Sequence, residues 1–231
     1  MLKVGKVPES VLKRSIFRQI HTRRKEVLLG AGVGEDCAAL KLEPGEIFVI
    51  STDPITGTAR DIGHLAIHVT VNDLASAGAE PVGVMLTILL PEGSEERDLK
   101  QMMAQMEECC ARAQVQIVGG HTEVTRAVTQ PVISVCGIGK AREQELVSTA
   151  GAEPGQDILI TKWIGLEGTS IIAKEKEGAL SARYPMDFIE TAKGFDKYLS
   201  VQPEAAVAVK FGVSAMHDVT EGGIYGALWE M

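Results

Sequence analysis

Aromatic side chains are scarce in this sequence and make up only 4% of its 231 residues. A core with few aromatic rings has to be built from aliphatic side chains and methionine. The 45% hydrophobic content is sufficient for one large domain or two smaller ones. The 24 glycines are too many for a helical bundle, and they favour a mixed α/β fold in which turns carry functional groups.

Paired cysteines, a positive net charge and long apolar runs are also missing. The four cysteines include no C-x-x-C pair, which predicts free thiols in a reducing compartment and disfavours a zinc site. A formal net charge of −8 argues against the dense basic face that a nucleic-acid-binding protein needs. No stretch is long and apolar enough for a signal peptide or a membrane span. We therefore expect a soluble, cytoplasmic protein that binds neither nucleic acid nor membrane.

Apolar periodicity predicts alternating helices and strands. An amphipathic opening helix is expected from Glu9 to Ile20, and the basic cluster Arg23-Arg24-Lys25 after it is most simply explained as a solvated helix end. A helix is predicted from Asp61 to Ala77, and Ser94 is expected to cap another that reaches Ala113. The remaining predictions are strands at 47–51, 82–90, 115–118, 131–140, 157–161 and 213–216, and helices at 168–176, 187–199 and 203–211.

A turn rich in glycine and proline predicts the boundary between a first domain at residues 1–147 and a second at 148–231. The last residues begin an apolar helical face with Ile224, Ala227 and Leu228, but neither a C-cap glycine nor a basic last turn follows. One such face and one strand cannot close a second domain. We therefore expect the carboxy-terminal domain to be incomplete in this chain.

Acidic residues stand beside glycine or small polar residues at four places where strands or turns end. These places are Gly34-Glu35-Asp36, Ser51-Thr52-Asp53, Asn72-Asp73, and His217-Asp218 followed by Gly222-Gly223. Mg²⁺ is typically held by one or two carboxylates together with substrate phosphates, and glycine lets backbone N–H groups approach phosphate oxygens. If the four places converge, they would hold such ions against a triphosphate. The alternative is that each aspartate caps a helix or forms an Asx-turn, which is harder to accept for Asp73 within an apolar helix.

The order of these segments resembles the AIR synthase superfamily, and among its members the HypE-like proteins most. The superfamily also holds selenophosphate synthetase and thiamine-monophosphate kinase. The stretches VNDLASAGAEP and HDVTEGG carry the most specific part of the resemblance. The similar segments are GEDCAAL (34–40), STD (51–53), DIGHLAIHVTVNDLASAGAEPVG (61–83), IVGGHTEV (117–124) and HDVTEGGIYGALWEM (217–231).

The resemblance implies two AIR synthase-like α/β domains. The strands of the amino-terminal domain would pair with those of a second subunit and form a β-barrel in a homodimer, with ATP in clefts at the interface. Asp36, Asp53 and Asp73 would then be Mg²⁺ ligands, and Asp73, Asp218 and His121 would be the catalytic residues. Further contacts with the nucleotide are implied for Gly34, Asn72, Gly119, Gly120, Thr122, Glu123, Thr220, Gly222 and Gly223.

His121 departs from the family pattern, because it stands where the Gly-Gly segment is normally followed by an acidic residue. Either Glu123 supplies the carboxylate, or the cation position is altered. The structural alternative is an ordinary hydrogen-bonded turn histidine.

The activity implied by the resemblance is ATP- and Mg²⁺-dependent activation of an amide or acid oxygen by phosphoryl transfer. A HypE-like member dehydrates a carboxamide carried on a protein thiol, which would require a carbamoyl-carrying maturation partner. One alternative is a small-molecule enzyme similar to AIR synthase or thiamine-monophosphate kinase. Another is a non-catalytic scaffold subunit that binds nucleotide without turnover, which the departure at His121 favours.

Overall fold

A computed structural model describes residues 1–56 and 61–231 of the chain. These residues form two compact units. The first unit contains Met1–Ala75 and Ala79–Leu146, and the second contains Ser76–Gly78 and Val147–Met231. The predicted mixed α/β character is confirmed, because helices and strands alternate through the first unit.

A five-stranded sheet forms the centre of the first unit, with the strand order β1-β6-β5-β7-β4. Strands β5 and β6 are parallel, and the other neighbours in this sheet are antiparallel. A separate antiparallel pair is formed by β2 and β3. The strand bounds are β1 (Gly5–Lys6), β2 (Val27–Leu29), β3 (Ala39–Leu40), β4 (Glu46–Ile55), β5 (Glu80–Pro91), β6 (Gln116–Thr125) and β7 (Val132–Arg142).

The predicted opening helix is confirmed but irregular, because α1 (Glu9–Val11) continues as a π-helix to Ile16 and a 3₁₀ turn to Gln19. The next two helices are α2 (Ile62–Ser76) and α3 (Glu96–Ala113). Helix α2 forms despite its β-branched residues, because burying its apolar side chains outweighs their lower helix propensity.

The cap of α3 differs from the prediction. Glu95, not Ser94, precedes the first helical residue and forms a capping box with Asp98. The Ser94 hydroxyl instead donates a 2.7 Å hydrogen bond to the carbonyl oxygen of Pro91 in the preceding turn. The prediction of Ser94 as the cap is therefore wrong, because this turn engages its side chain.

The two faces of the large sheet differ in what covers them. On one face, α2 and α3 pack against Leu86 and Ile88 of β5, which are almost fully buried. On the other face, which we call the open face, Phe48 and Ile50 of β4 are 50% and 64% exposed. Within a single chain the sheet is thus an open one, and it does not close into a barrel.

In the part of the second unit that the structure describes, helices alternate with irregular segments and no strand forms. Its helices are α4 (Leu166–Glu175), α5 (Glu177–Leu180), α6 (Met186–Lys193), α7 (Gln202–Phe211) and α8 (Gly223–Glu230). The strands predicted at 157–161 and 213–216 do not form, so these two predictions are wrong. A lone extended segment gains little without a neighbouring strand, and Leu159 accordingly remains 89% exposed.

Across residues 1–56 and 61–231, none of the helices has both the length and the apolar character required to cross a bilayer.

A buried ionic cluster ties the loop after the opening helix to the end of the sheet. Arg24 and Lys140 place side-chain nitrogens 3.0 and 2.9 Å from the Glu26 carboxylate, whose side chain is only 3% exposed. The hydrogen bonds from Arg24, and next from Lys140, lower the pKa of Glu26 to about 2 although burial opposes this shift. The expected solvated helix end at residues 23–25 is therefore wrong for Arg24, which lies within this cluster.

We expect Glu26→Gln to lower the free energy of unfolding at pH 7 by about 2 kcal/mol, because the amide leaves two cations without their shared charge. Folding lowers the pKa of Glu26 from its ordinary value of 4.5, so the carboxylate stabilises the folded protein fully at pH values above 4.5. This stabilisation is lost as the pH falls towards 2. Urea unfolding at a series of pH values should thus show a shallower acid loss for the variant. Glu153→Gln, at an exposed position, is the control. Identical acid profiles for wild type and Glu26→Gln would contradict the assignment.

Candidate functional site

Two predicted site residues of the first unit lie on the helix-covered face of the sheet, at its β4 edge. Asp73 is near the end of α2, and its Oδ2 accepts a 2.6 Å hydrogen bond from the Ser51 hydroxyl of β4. Asp53 lies two residues further along β4, so its side chain points to the same face as that of Ser51. Because a strand rises about 3.3 Å per residue, Ser51 and Asp53 are roughly 7 Å apart along β4. This edge therefore holds two carboxylates and a hydroxyl.

A glycine on the neighbouring strand allows α2 to approach the sheet at this point. Gly137 of β7 is in register with Ser51. A Cβ atom at Gly137 would lie 2.4 Å from Cγ2 of Thr70, which is one turn before Asp73 on α2. A side chain there would push the helix outwards. The close approach is what brings the Asp73 carboxylate within reach of the Ser51 hydroxyl. Asn72, beside Asp73, is 9% exposed.

The Gly-Gly segment lies within β6, beyond the predicted end of this strand at Val118. Gly120 has a φ of +142° and is in register with Leu86 of β5. A Cβ atom at Gly120 would lie 2.0 Å from the carbonyl oxygen of Leu86, so only glycine fits here. Gly119 is in register with Met85 and is not under this restriction, since a Cβ there would make only an ordinary contact.

The residues after Gly120 are divided between the two faces of the sheet. Thr122 is 7% exposed and faces the helices, as its register partner Ile88 does. His121 and Glu123 lie on the open face, with His121 Nε2 3.2 Å from Glu123 Oε2. The side chains of His121, Thr122 and Glu123 therefore do not all face the same side of the sheet, and they cannot all contact one ligand there.

Asp36 is exposed on the loop after Gly34, which has a φ of +78°. Within the residues that the structure describes, no three His, Cys, Asp or Glu side chains are grouped closely enough to hold a metal ion. The expected gathering of Asp36 with Asp53 and Asp73 is thus not present in the single chain, because Asp36 is on an exposed loop. One or two carboxylates suffice for Mg²⁺ when phosphates and water complete the octahedron.

The HDVTEGG motif lies in the second unit and is held in place by hydrogen bonds. His217 Nε2 lies 2.7 Å from Glu230 Oε2, and His217 Nδ1 lies 2.5 Å from the carbonyl oxygen of Asp218. These contacts fix the imidazole ring between the loop and α8. Gly222 and Gly223 have positive φ angles of +84° and +60° where α8 begins.

An acidic residue that sequence reasoning missed lies close to this motif. Burial raises the pKa of Glu167, and the negative charges of Asp218 and then Glu221 raise it further. Glu167 is in the first turn of α4, far from the motif in sequence, and no local pattern marks it. Of the predicted residues here, Asp218 has a side chain only 10% exposed, whereas Thr220 is exposed and its carbonyl accepts a 3.1 Å hydrogen bond from Gly223.

Two protein-family models match the chain. The model for the N-terminal domain of AIR synthase related protein matches residues 34–141. The model for the C-terminal domain of AIR synthase related protein matches residues 153–231. Together the two matches include the Asp53–Asp73 edge of the first unit and the HDVTEGG motif of the second.

Several known proteins are similar to this chain in sequence or in structure. The chain is 30% identical to a putative hydrogenase expression/formation protein of Methanocaldococcus jannaschii, over 98% of this chain and 67% of that protein. It is 31% identical to carbamoyl dehydratase HypE of Cupriavidus necator, over 86% of this chain and 56% of that protein. The crystal structure of hydrogenase maturation protein HypE in complex with ATP superposes with a TM-score of 0.64 and 29% identity, over 75% of this chain and 51% of that one. The chain thus spans between half and about two thirds of the length of these proteins.

Proposed function

Because the chain belongs to the AIR synthase related family and is HypE-like in sequence, we propose that it binds ATP with Mg²⁺ and activates an amide or acid oxygen by phosphoryl transfer. The observation that carries the proposal is the β4 edge, where Ser51 holds Asp73 on the face that Asp53 shares. A neutral pocket would not need two carboxylates there. A divalent cation bound to phosphate is a ligand that two carboxylates on one face can coordinate.

Asp53 and Asp73 would hold the Mg²⁺ ion. The Ser51 hydroxyl donates a hydrogen bond to Oδ2 of Asp73 and so orients this carboxylate. We propose Gly34, Asp36 and Asn72 as further contacts to the nucleotide, together with the backbone of Gly119 and Gly120 and one of Thr122 and Glu123, because the last two side chains face opposite sides of the sheet. For Asp218, Thr220, Gly222 and Gly223 in the second unit, the support is the match of the HDVTEGG motif.

Bound ATP supplies a phosphoryl group that turns the attacking substrate oxygen into a leaving group. The work left to the protein is positioning the substrate oxygen and neutralising charge. Asp73 serves that role through the cation. His121 and Asp218 are the other residues that we propose to act on the substrate, and the contact of His121 with Glu123 keeps a carboxylate beside the imidazole.

We propose that the substrate is a carboxamide carried on the thiol of a hydrogenase-maturation partner, and that its dehydration leaves a nitrile. The support is the similarity to a carbamoyl dehydratase over 86% of this chain. The division of the chain into domains at 1–147 and 148–231 belongs to the same proposal, and the limits of the two family matches support it.

Phosphate release from Mg²⁺-ATP tests the substrate. The assay would use a cysteine peptide that bears an S-carboxamide, and the same peptide with a free thiol as the control. Release that depends on the carboxamide is the expected result. ADP formation without phosphate release in the presence of thiamine monophosphate would favour the kinase-like alternative, because the phosphoryl group then stays on the product. Tight binding with neither ADP formation nor phosphate release in any mixture would favour a scaffold subunit.

We further propose that two chains associate through their open faces, so that the two open sheets form a barrel. The exposed side chains of Phe48 and Ile50 support this, because a soluble monomer rarely leaves neighbouring large apolar side chains on a flat sheet face. Ile50→Glu should convert a dimer into a monomer in analytical ultracentrifugation, since two buried charges would face each other. Leu159→Glu, at an exposed apolar position of the second unit, should leave the dimer intact. A monomeric wild type, or dissociation by both variants alike, would contradict the proposal.

A further inference from the structure

The first unit contains a cavity of about 250 Å³ between the loop after the opening helix and the start of β6. Arg23, Arg24 and Gly30 line it from the loop, and Gln116 lines it from the strand. None of these residues belongs to the proposed nucleotide site. Polar groups predominate on its walls, which sets it apart from a packing defect in an apolar core.

Gln116 is the polar group at the base of the cavity and is only 5% exposed. Its Oε1 accepts a 2.7 Å hydrogen bond from the backbone N–H of Arg24. This bond fixes the orientation of the amide, so that the Nε2 group points the other way. Nε2 donates no hydrogen bond to any atom in the described part of the chain. The Nε2 group faces the cavity that Gln116 lines, so it can donate a hydrogen bond to a ligand bound there.

Gly30 leaves the space in front of this donor open. A Cβ atom at Gly30 would lie 3.0 Å from Nε2 of Gln116 and 3.4 Å from Cγ1 of Val27. Any larger residue would therefore crowd the amide group. The φ angle of Gly30 is not among the positive ones, so the backbone alone does not demand glycine here. The absence of a side chain keeps the donor accessible from the cavity.

The walls of the cavity are held firmly in place. Oε1 of the buried Glu107 accepts hydrogen bonds from the backbone N–H groups of His21 and Thr22, at 2.9 and 2.5 Å, and from the Thr22 hydroxyl at 2.7 Å. Arg24 is held by the carboxylates of Glu26 and Glu80. A loop fixed at these points has little conformational entropy to lose when a ligand binds.

Arg23 supplies the positive charge of the cavity. The charge of Arg24 is already matched by its two carboxylates, whereas Arg23 donates only to the carbonyl oxygen of the neighbouring Thr22, at 3.0 Å. Among the described residues no carboxylate pairs with it. The cavity thus combines an unmatched guanidinium with an amide donor that faces it, and none of its lining residues is acidic.

We propose that this cavity binds a small oxyanion, a carboxylate or phosphate group, which accepts hydrogen bonds from Gln116 Nε2 and from the Arg23 guanidinium. Such a ligand accepts a hydrogen bond from the amide donor and balances the charge of Arg23 at the same time. None of the residues that line the cavity is among the proposed nucleotide contacts.

The test is a titration of the ¹⁵N-labelled full chain with inorganic phosphate and, separately, with acetate, read from the side-chain amide signals of Gln116. Sodium chloride at matched ionic strength is the reference. A saturable shift with phosphate or acetate is expected, and the anion that binds more tightly identifies the source of the oxyanion. Arg23→Gln should weaken binding by about tenfold or more, because it removes a charge-assisted hydrogen bond. Gly30→Ala should abolish the saturable shift.

Lys25→Gln is the matched charge control, because Lys25 is exposed and does not line the cavity. The affinity of the Lys25→Gln variant for the anion should stay within about twofold of wild type. If Arg23→Gln and Lys25→Gln weaken anion binding equally, the anion is only a counter-ion at the charged surface, and the proposal is overturned. So would the absence of a saturable shift with both anions. Phosphate binding that survives in Arg23→Gln but is lost in Asp73→Asn would place the anion at the nucleotide site, which also overturns it.

Discussion

Replacing Asp73 with asparagine is expected to weaken the binding of Mg²⁺-ATP by about 100-fold, because a neutral amide loses both the charge and the coordinating strength of a carboxylate. The fold should survive, since asparagine has nearly the same volume and its carbonyl oxygen can still accept the hydrogen bond from Ser51. Isothermal titration calorimetry of the full chain with Mg²⁺-ATP provides the affinity. Circular dichroism provides the check that the fold is unchanged.

Two further variants separate the charge of Asp73 from its orientation. Ser51→Ala removes the hydroxyl that holds the carboxylate, and we expect a smaller loss of about tenfold, typical of an orienting hydrogen bond. Asp53→Asn combined with Asp73→Asn should cost less than the sum of the two single losses if both carboxylates hold one cation. Asp157→Asn, at an exposed position of the second unit, is the control for a lost negative charge. Equal affinities for wild type and Asp73→Asn would remove this residue from the site.

Replacing Gly120 with alanine is expected to lower the free energy of unfolding by about 4 kcal/mol, near the upper end of single substitutions. The new Cβ would lie 2.0 Å from the carbonyl oxygen of Leu86, inside the parallel pairing of β5 and β6. That contact is with backbone, so no side-chain rotation relieves it, and the φ of +142° adds strain for any residue with a Cβ. Chemical denaturation of the purified chain measures the loss.

Gly119→Ala is the matched control for this substitution. It changes the neighbouring residue of the same strand, where a Cβ would meet only the terminal methyl of Met85, at an ordinary 3.6 Å. The expected change is about 1 kcal/mol or less. If Gly119→Ala and Gly120→Ala are equally stable, the claim that only glycine fits at position 120 is contradicted.

The helices of the first unit could be predicted from the sequence because their apolar periodicity is clear. The spacing of Leu99, Met103, Met106 and Cys110 predicts the buried face of α3, and these side chains are almost fully buried. The strands at 157–161 and 213–216 were wrong for a different reason. A strand depends on a partner, and composition reveals apolar residues such as Ile158 and Leu159 but not what pairs with them.

The candidate site was only partly predictable. The STD and VNDLASAGAEP motifs predict Asp53 and Asp73 as site residues. They do not indicate the hydrogen bond between Ser51 and Asp73, which depends on how closely Gly137 lets α2 approach the sheet. The sequence motifs do not indicate that Thr122 and His121 lie on opposite faces of the sheet. Strand alternation could have indicated this, had β6 been expected to continue past Val118.

The most direct test of the account is a calorimetric titration of the wild-type chain with ATP, once with Mg²⁺ and once with the metal chelated. We expect saturable binding that requires Mg²⁺, since the carboxylates of Asp53 and Asp73 would otherwise repel the triphosphate. Binding of equal strength without Mg²⁺, or no binding in either titration, would contradict the claim that these two carboxylates hold a nucleotide through a divalent cation.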